Sequence, residues 1–103
     1  MKEFKKNLKS LIEKGAILLD VRTCHEYSGY HPDGALNVPC EEIDNRINQI
    51  KSWQKIIIAF STYGRRSAIA VSKLRRRGIN AIDGGSHEDI DAVLGGEDNQ
   101  LAA

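Results

Sequence analysis

Residues 55–67, Lys55-Ile56-Ile57-Ile58-Ala59-Phe60-Ser61-Thr62-Tyr63-Gly64-Arg65-Arg66-Ser67, decide the fold. Ile56 to Phe60 are apolar without alternation and rich in β-branched residues, as expected of a strand covered on both faces. The six residues Ser61 to Arg66 then form a tight loop. From Ser67 to Arg77 the pattern is helical, and Gly78 is placed to close that helix. Strand, short loop and helix in immediate succession are the building unit of a parallel α/β sheet.

Working outward, the same alternation repeats. Phe4, Leu8, Leu11 and Ile12 share one face of an amphipathic helix that Gly15 ends. Ala16 to Val21 read as a second doubly covered strand, and residues 22–34 as a polar loop with room for one helical turn. Ala35 to Val38 form a brief strand stopped by Pro39. Ile43, Ile47 and Ile50 repeat at helical spacing within residues 41–51. Beyond the central helix, Ile79 to Asp83 make a short strand. Gly84-Gly85 turn the chain into a last weak helix near Ser86–Leu94. The expectation is one α/β domain over residues 1–94, a mostly parallel central sheet with helices on both faces, and a frayed tail over 95–103.

Length and composition narrow the function. A chain of 103 residues buries one ordinary core. Fifteen basic against fourteen acidic residues, net +1, create no field that would gather nucleic acid or anionic lipid. No apolar run approaches the ~18 residues of a membrane span. The basic start, Met1 to Lys14, lacks the continuous apolar centre of a signal peptide. Two cysteines are too few for a disulfide scaffold. These features point to a reduced, cytoplasmic protein whose partners are small molecules rather than nucleic acid or membrane.

In open α/β sheets ligands bind outside the carboxyl ends of the strands, so the loop after the most buried strand is the candidate site. A tight loop ahead of a helix aims backbone N–H groups inward, and the helix dipole adds partial positive charge. Gly64 permits close approach of the backbone, and Arg65 and Arg66 supply a cationic rim. The expected product is a cradle for an anion; the alternative is a plain connector with two solvated arginines.

Four collinear segments within about residues 12–90 resemble the rhodanese-like sulfurtransferases. Leu19-Asp20-Val21-Arg22, with Glu26-Tyr27 downstream, is similar to that family's Asp-Val-Arg motif. His31-Pro32-Asp33-Gly34-Ala35-Leu36-Asn37-Val38-Pro39 is similar to its His-Ile-Pro-Gly-Ala-Ile-Asn-Ile-Pro segment. Ser61 to Ser67 stand where the family shows Cys-x-x-Gly-x-Arg-Ser, and Gly78-Ile79 and Gly84-Gly85 match its later glycines.

The resemblance implies a thiolate nucleophile at the first loop position, taking sulfane sulfur from thiosulfate or a persulfide and passing it to a thiophilic acceptor. No metal or organic cofactor is implied. It assigns the nucleophile position to Ser61. The N–H groups of Thr62, Tyr63, Gly64, Arg65 and Arg66 become the anion-stabilising loop, with Arg65 or Arg66 attracting the donor.

The serine is a departure. Oxygen is far harder to ionise than sulfur and cannot carry sulfur as a persulfide. A chain with Ser61 should bind the anion and fail the transfer. That fits a cysteine-to-serine replacement made to silence an enzyme, and equally a native binding or regulatory module. Related phosphatases and arsenate reductases carry five residues between cysteine and arginine. Four separate Ser61 from Arg66, which favours the smaller sulfurtransferase pocket.

The remaining candidates are structural on this reading. Arg22 and Glu26 are expected to pair and fix the loop, with Asp20 beside them. His31 should pin its loop through a hydrogen bond. Cys24 and Cys40 each follow a strand, so both fall toward the edge of the sheet that carries Ser61. Either is a candidate sulfur-accepting or resolving thiol, against the plainer reading of two ordinary reduced cysteines. Cys24, His25, His31 and Cys40 fit no compact metal pattern. His25 and His87 read as surface residues. Lys73, Arg75, Arg76 and Arg77 complement the negative end of the central helix. Tyr63 either shapes the mouth of the pocket or covers the core edge.

Overall fold

The computed structural model describes residues 2–96, and side chains within 7–95. In chain order the elements are α1 (Lys2–Glu13), β1 (Ile17–Asp20), α2 (Cys24–Gly29), β2 (Leu36–Asn37), a 3-10 segment (Cys40–Arg46) and α3 (Ile47–Ser52). There follow β3 (Ile57–Ser61), α4 (Arg65–Arg76), β4 (Ala81–Ser86), α5 (His87–Asp91) and a π-helical turn (Ala92–Gly96). Of the expected frayed tail over 95–103, residues 95 and 96 belong to the π-helical turn that carries the chain on from α5, and the rest lies outside the described residues, as does the side chain of Phe4.

All four strands are parallel, in the order β2-β1-β3-β4. Successive side chains of a strand point to opposite faces, so each apolar strand feeds two cores. Leu19, Ile57, Ala59 and Ala81 pack on one face against Ile43, Ile47, Ile50, Ala70, Val71 and Leu74. Leu18, Ile58 and Phe60 pack on the other against Leu8, Ile90 and Val93. Helices therefore cover both faces. Each leucine, isoleucine, valine or phenylalanine among these, withdrawn from water, contributes about 1.5–3 kcal/mol before the entropy of ordering is charged against it.

Several element boundaries differ from the expectation for physical reasons. The 41–51 helix is a 3-10 segment followed by α3, after Pro39. The loop after β1 contains the six-residue α2, opened by a capping box in which Thr23 Oγ1 accepts the Glu26 N–H and Glu26 Oε1 accepts the Thr23 N–H. The signal for it, Thr-x-x-Glu, is present in the sequence.

The third difference is β4, which runs through Gly84-Gly85 instead of stopping before them. A Cβ at Gly84 would stand 2.8 Å from Ile58 Cγ2 and 2.9 Å from Ile90 Cδ1. This glycine therefore marks a close approach of strand, neighbouring strand and helix rather than a turn. The ladder continues to Ser61 opposite Ser86, with a register irregularity between Ala59 and Ser61.

Helix α4 buries Ser67, Ala70, Val71 and Leu74 on one face. It ends as expected at Gly78, whose N–H bonds Arg75 O while the Ile79 N–H bonds Leu74 O. It begins two residues earlier than the pattern suggested, at Arg65, because Gly64 adopts φ +86° and turns the chain directly into the helix.

Candidate functional site

Ser61 is the last residue of β3 and only 1% exposed. Its Oγ accepts the backbone N–H of Gly64 at 3.1 Å and of Ser67 at 3.2 Å. Gly64 precedes α4 and has no side chain to cap it. Ser61 Oγ takes the third N–H of the helix instead, the bond an N-cap hydroxyl would accept. The N–H groups of Arg65 and Arg66, the first two of the helix, have no helical carbonyl one turn earlier to receive them. The loop thus gathers donors around position 61, with Ser67, one residue beyond the loop expected to hold the anion, among those that meet its oxygen.

Below this cradle lies a polar chain that the sequence-based site did not include. Ser61 Oγ donates to Ser67 Oγ at 3.3 Å, and Ser67 Oγ lies 2.8 Å from Asp83 Oδ1. The same carboxylate oxygen accepts the Gly85 N–H at 2.9 Å. A signal for Ser67 was available: it falls on the helix positions that are otherwise apolar and buried, 67, 70, 71 and 74. Asp83 carries no comparable mark beyond its place before Gly84-Gly85.

The expected pairing of Arg22 with Glu26 is not formed. Arg22 folds back onto Asp20, with Nη2 2.7 Å from Oδ2 and Nε 3.0 Å from Oδ1, and its Nη2 also donates to Tyr30 O at 2.6 Å. Asp20 at the end of β1 is fully buried, and a buried carboxylate demands the nearest cation. Glu26, on the first turn of α2, faces the cradle instead. Arg66 Nη1 donates to Glu26 Oε1 at 2.7 Å and Nη2 to Oε2 at 3.1 Å, while Thr62 Oγ1 donates to Oε2 at 3.3 Å. The Arg66 hydrogen bonds, assisted by those from Thr23, hold the Glu26 carboxyl well below its ordinary 4.5.

The two loop arginines consequently differ. Arg66 is engaged by Glu26, whereas Arg65 is exposed and its side chain has no ion pair among the described residues. Tyr63 is 88% exposed, so it stands at the mouth and covers no core edge.

His31 stacks on Tyr27 with ring centroids 3.7 Å apart, and its Nδ1 lies 2.9 Å from Tyr27 O. A carbonyl can only accept, so that nitrogen carries the proton. Asn37 Nδ2 ties β2 to the end of β1 through Asp20 O and Arg22 O.

The two cysteines are not equivalent. Cys24 is exposed at the start of α2. Cys40 is half-buried and its thiol donates to Arg66 O at 3.4 Å, so it touches the loop. Burial pushes the Cys40 thiol pKa up, against the opposing pull of Lys73 and Arg66. His25 is exposed as expected, but His87 is not a free surface residue. Its Nδ1 is buried without a hydrogen-bond partner, and its ring meets Tyr30 edge-on. At the far end of α4, Lys73 Nζ donates to Cys40 O and Arg75 Nε to Ala81 O, so these cations brace the fold. Among the described residues no helix is long and apolar enough to cross a membrane.

Comparison with known proteins agrees with this fold. The model of the rhodanese-like domain matches residues 4–90. The Bacillus subtilis (strain 168) protein named "Putative sulfur carrier protein YrkF" is 31% identical over 65 residues, which are 63% of this chain and 35% of that protein. YqhL of the same organism, an uncharacterized protein, is 34% identical over 67 residues, 65% of this chain and 52% of that one. The chain therefore spans between about a third and a half of these relatives. Among solved structures, a rhodanese with anions from E. coli superimposes with a TM-score of 0.67 at 26% identity, over 73% of this chain and 91% of that one.

Proposed function

The chain belongs to the rhodanese-like domain family, and from that premise we propose that its Ser61–Ser67 loop holds a small sulfur-bearing anion. Thiosulfate or the terminal sulfur of a persulfide fits the donors of the loop. With serine at the nucleophile position, the chain holds this anion without transferring sulfur. One observation carries the reading: Ser61 Oγ sits where the Gly64 and Ser67 N–H groups converge, at the start of a 12-residue helix. Backbone donors and a helix N-terminus stabilise negative charge at that point. The similarity to a solved rhodanese with anions from E. coli supports it.

The loop has the features of a sulfurtransferase in all but its first atom. A thiolate at position 61 would attack the outer sulfur of thiosulfate. A new S–S bond to the protein would form as the S–S bond of thiosulfate broke, its electron pair leaving on sulfite. A thiol acceptor would then remove the sulfane sulfur. The serine oxygen cannot complete the first step. A reduced, cytoplasmic setting belongs to the same reading, supported by two free cysteines.

The test is mass spectrometry of the chain and of Ser61→Cys after exposure to thiosulfate. The variant is expected to gain one sulfur at position 61 and to release sulfite, with no addition at Cys24 or Cys40. The unaltered chain should gain none, yet should bind thiosulfate with shifts in the amide resonances of residues 62–67. Failure of Ser61→Cys to acquire sulfur would defeat the sulfurtransferase scaffold. Absence of amide shifts would defeat the anion cradle.

A further inference from the structure

We propose that Asp83 is a positioning residue for position 61, acting through Ser67: it takes the Ser67 hydroxyl proton and so turns the Ser67 oxygen toward position 61 as an acceptor. This deepens the reading above and uses from it only that position 61 is the reactive one.

The argument is one of donors and acceptors. Ser67 has a single hydroxyl proton and four acceptors in reach: Asp83 Oδ1 at 2.8 Å, Gly64 O at 3.1 Å, Ser61 Oγ at 3.3 Å and Gly85 O at 3.5 Å. The carboxylate is the closest and the only charged one, so it wins the proton. Asp83 is itself held in place by the Gly85 N–H at 2.9 Å. Ser67 Oγ then shows lone pairs to Ser61, whose hydroxyl donates to it at 3.3 Å. Ser61 and Ser67 are both buried, so water does not replace these partners. A hydroxyl at position 61 is thereby fully satisfied, giving one hydrogen bond and receiving two.

An anion at position 61 meets the opposite situation. It has no proton to give, and the Ser67 oxygen faces it with lone pairs for as long as Asp83 holds the Ser67 proton. Without the Asp83 carboxylate, an anion at position 61 becomes the one charged acceptor in reach and outcompetes the Gly64 and Gly85 carbonyls for that proton. Asp83 thus sets the proton direction in the cradle and opposes a charged nucleophile there.

The other charged groups on the surrounding elements are mostly committed. Glu26 of α2 is paired with Arg66 of α4, and Asp20 of β1 with Arg22. Lys73 of α4 is 3.8 Å from Asp44 of the 3-10 segment. Asp89 of α5 accepts the Ser86 N–H, and Arg65 is exposed.

The experiment measures alkylation of Ser61→Cys by iodoacetamide as a function of pH, read at position 61 by peptide mass spectrometry. Asp83→Asn and Asp83→Ala are each added with Ser67 present and with Ser67→Ala, and each variant is checked for its native circular dichroism. With Ser67 present, removing the Asp83 carboxylate is expected to lower the midpoint pH by about one unit. With Ser67→Ala the shift should shrink to well under half. Equal shifts in both backgrounds would mean that Asp83 acts by charge alone and would overturn the proposal, as would no shift in either. Because alkylation needs no sulfur donor, this result is independent of whether Ser61→Cys accepts sulfur from thiosulfate.

Discussion

Arg66 and Glu26 form a two-bond ion pair, Nη1 to Oε1 at 2.7 Å and Nη2 to Oε2 at 3.1 Å, that clamps α2, which follows β1, to the first turn of α4, which follows β3. The residues are forty positions apart in sequence. Glu26 also closes the capping box of α2, so one carboxylate serves both the start of α2 and the start of α4.

The clamp predicts a pH signature. Arg66 lowers the Glu26 pKa in the folded state, so the pair contributes its full stability above the ordinary value of 4.5. That contribution is lost progressively as pH falls below 4.5 toward the lower folded value. Glu26→Gln should cost about 1 kcal/mol at neutral pH, a modest figure because both side chains are about a third exposed. Urea denaturation across the pH range should show the gap between the two proteins closing on the acid side and nowhere else.

The two loop arginines should respond differently to removal. Arg65→Ala is expected to leave unfolding unchanged and to weaken thiosulfate binding about two- to five-fold, less at high salt, as befits an exposed charge near a helix N-terminus. Arg66→Ala should lower stability by about 1 kcal/mol through the orphaned Glu26. Titration with thiosulfate at two ionic strengths, alongside denaturation, separates the two roles.

Glycine substitutions test the packing around the site. Gly84→Ala would place a methyl group inside van der Waals contact with Ile58 and Ile90 and should destabilise by about 1–3 kcal/mol. Gly29→Ala meets nothing within 4 Å and has no left-handed backbone, so it should be neutral or slightly stabilising. Thermal denaturation of the two variants should fall on opposite sides of that contrast. Equal melting temperatures would contradict the close approach of β4 to β3 and α5.

Thiol reactivity should rank by burial. Cys24, exposed, is expected to be alkylated well before Cys40, which is half-buried and whose thiol titrates above its ordinary value. Time-resolved peptide mapping at neutral pH checks the order. Faster modification of Cys40 would indicate that Arg66 and Lys73 outweigh its burial.

Much of this molecule is legible in the chain before any coordinates. The runs without alternation at 16–21 and 56–60 predict strands covered on both faces, and that is where the two cores form. Periodicity predicts α1 and α4, and Gly78 marks the end of α4. The connection between β3 and α4 is found from order alone, although it is shorter than the expected six residues: Ser61 ends the strand, Arg65 and Arg66 begin the helix, and only Thr62, Tyr63 and Gly64 lie between. These features rest on local spacing, which backbone geometry converts directly into structure.

Side-chain partnership is what local spacing does not contain. Arg22 has Asp20 two residues before it and Glu26 four residues after it, both chemically suitable. Burial of the β1 end selects Asp20 and leaves Glu26 to Arg66. Ser67 and Asp83 become one polar chain beneath Ser61 only because β3, α4 and β4 bring them there. By itself, the sequence determined an α/β sheet, the strand, loop and helix that carry the candidate site, and a serine at the first position of that loop. The tertiary structure decided which charges neutralise each other and which way the protons under Ser61 point. Hydrogen bonds and ion pairs are short-ranged, and their partners are chosen by packing of distant segments.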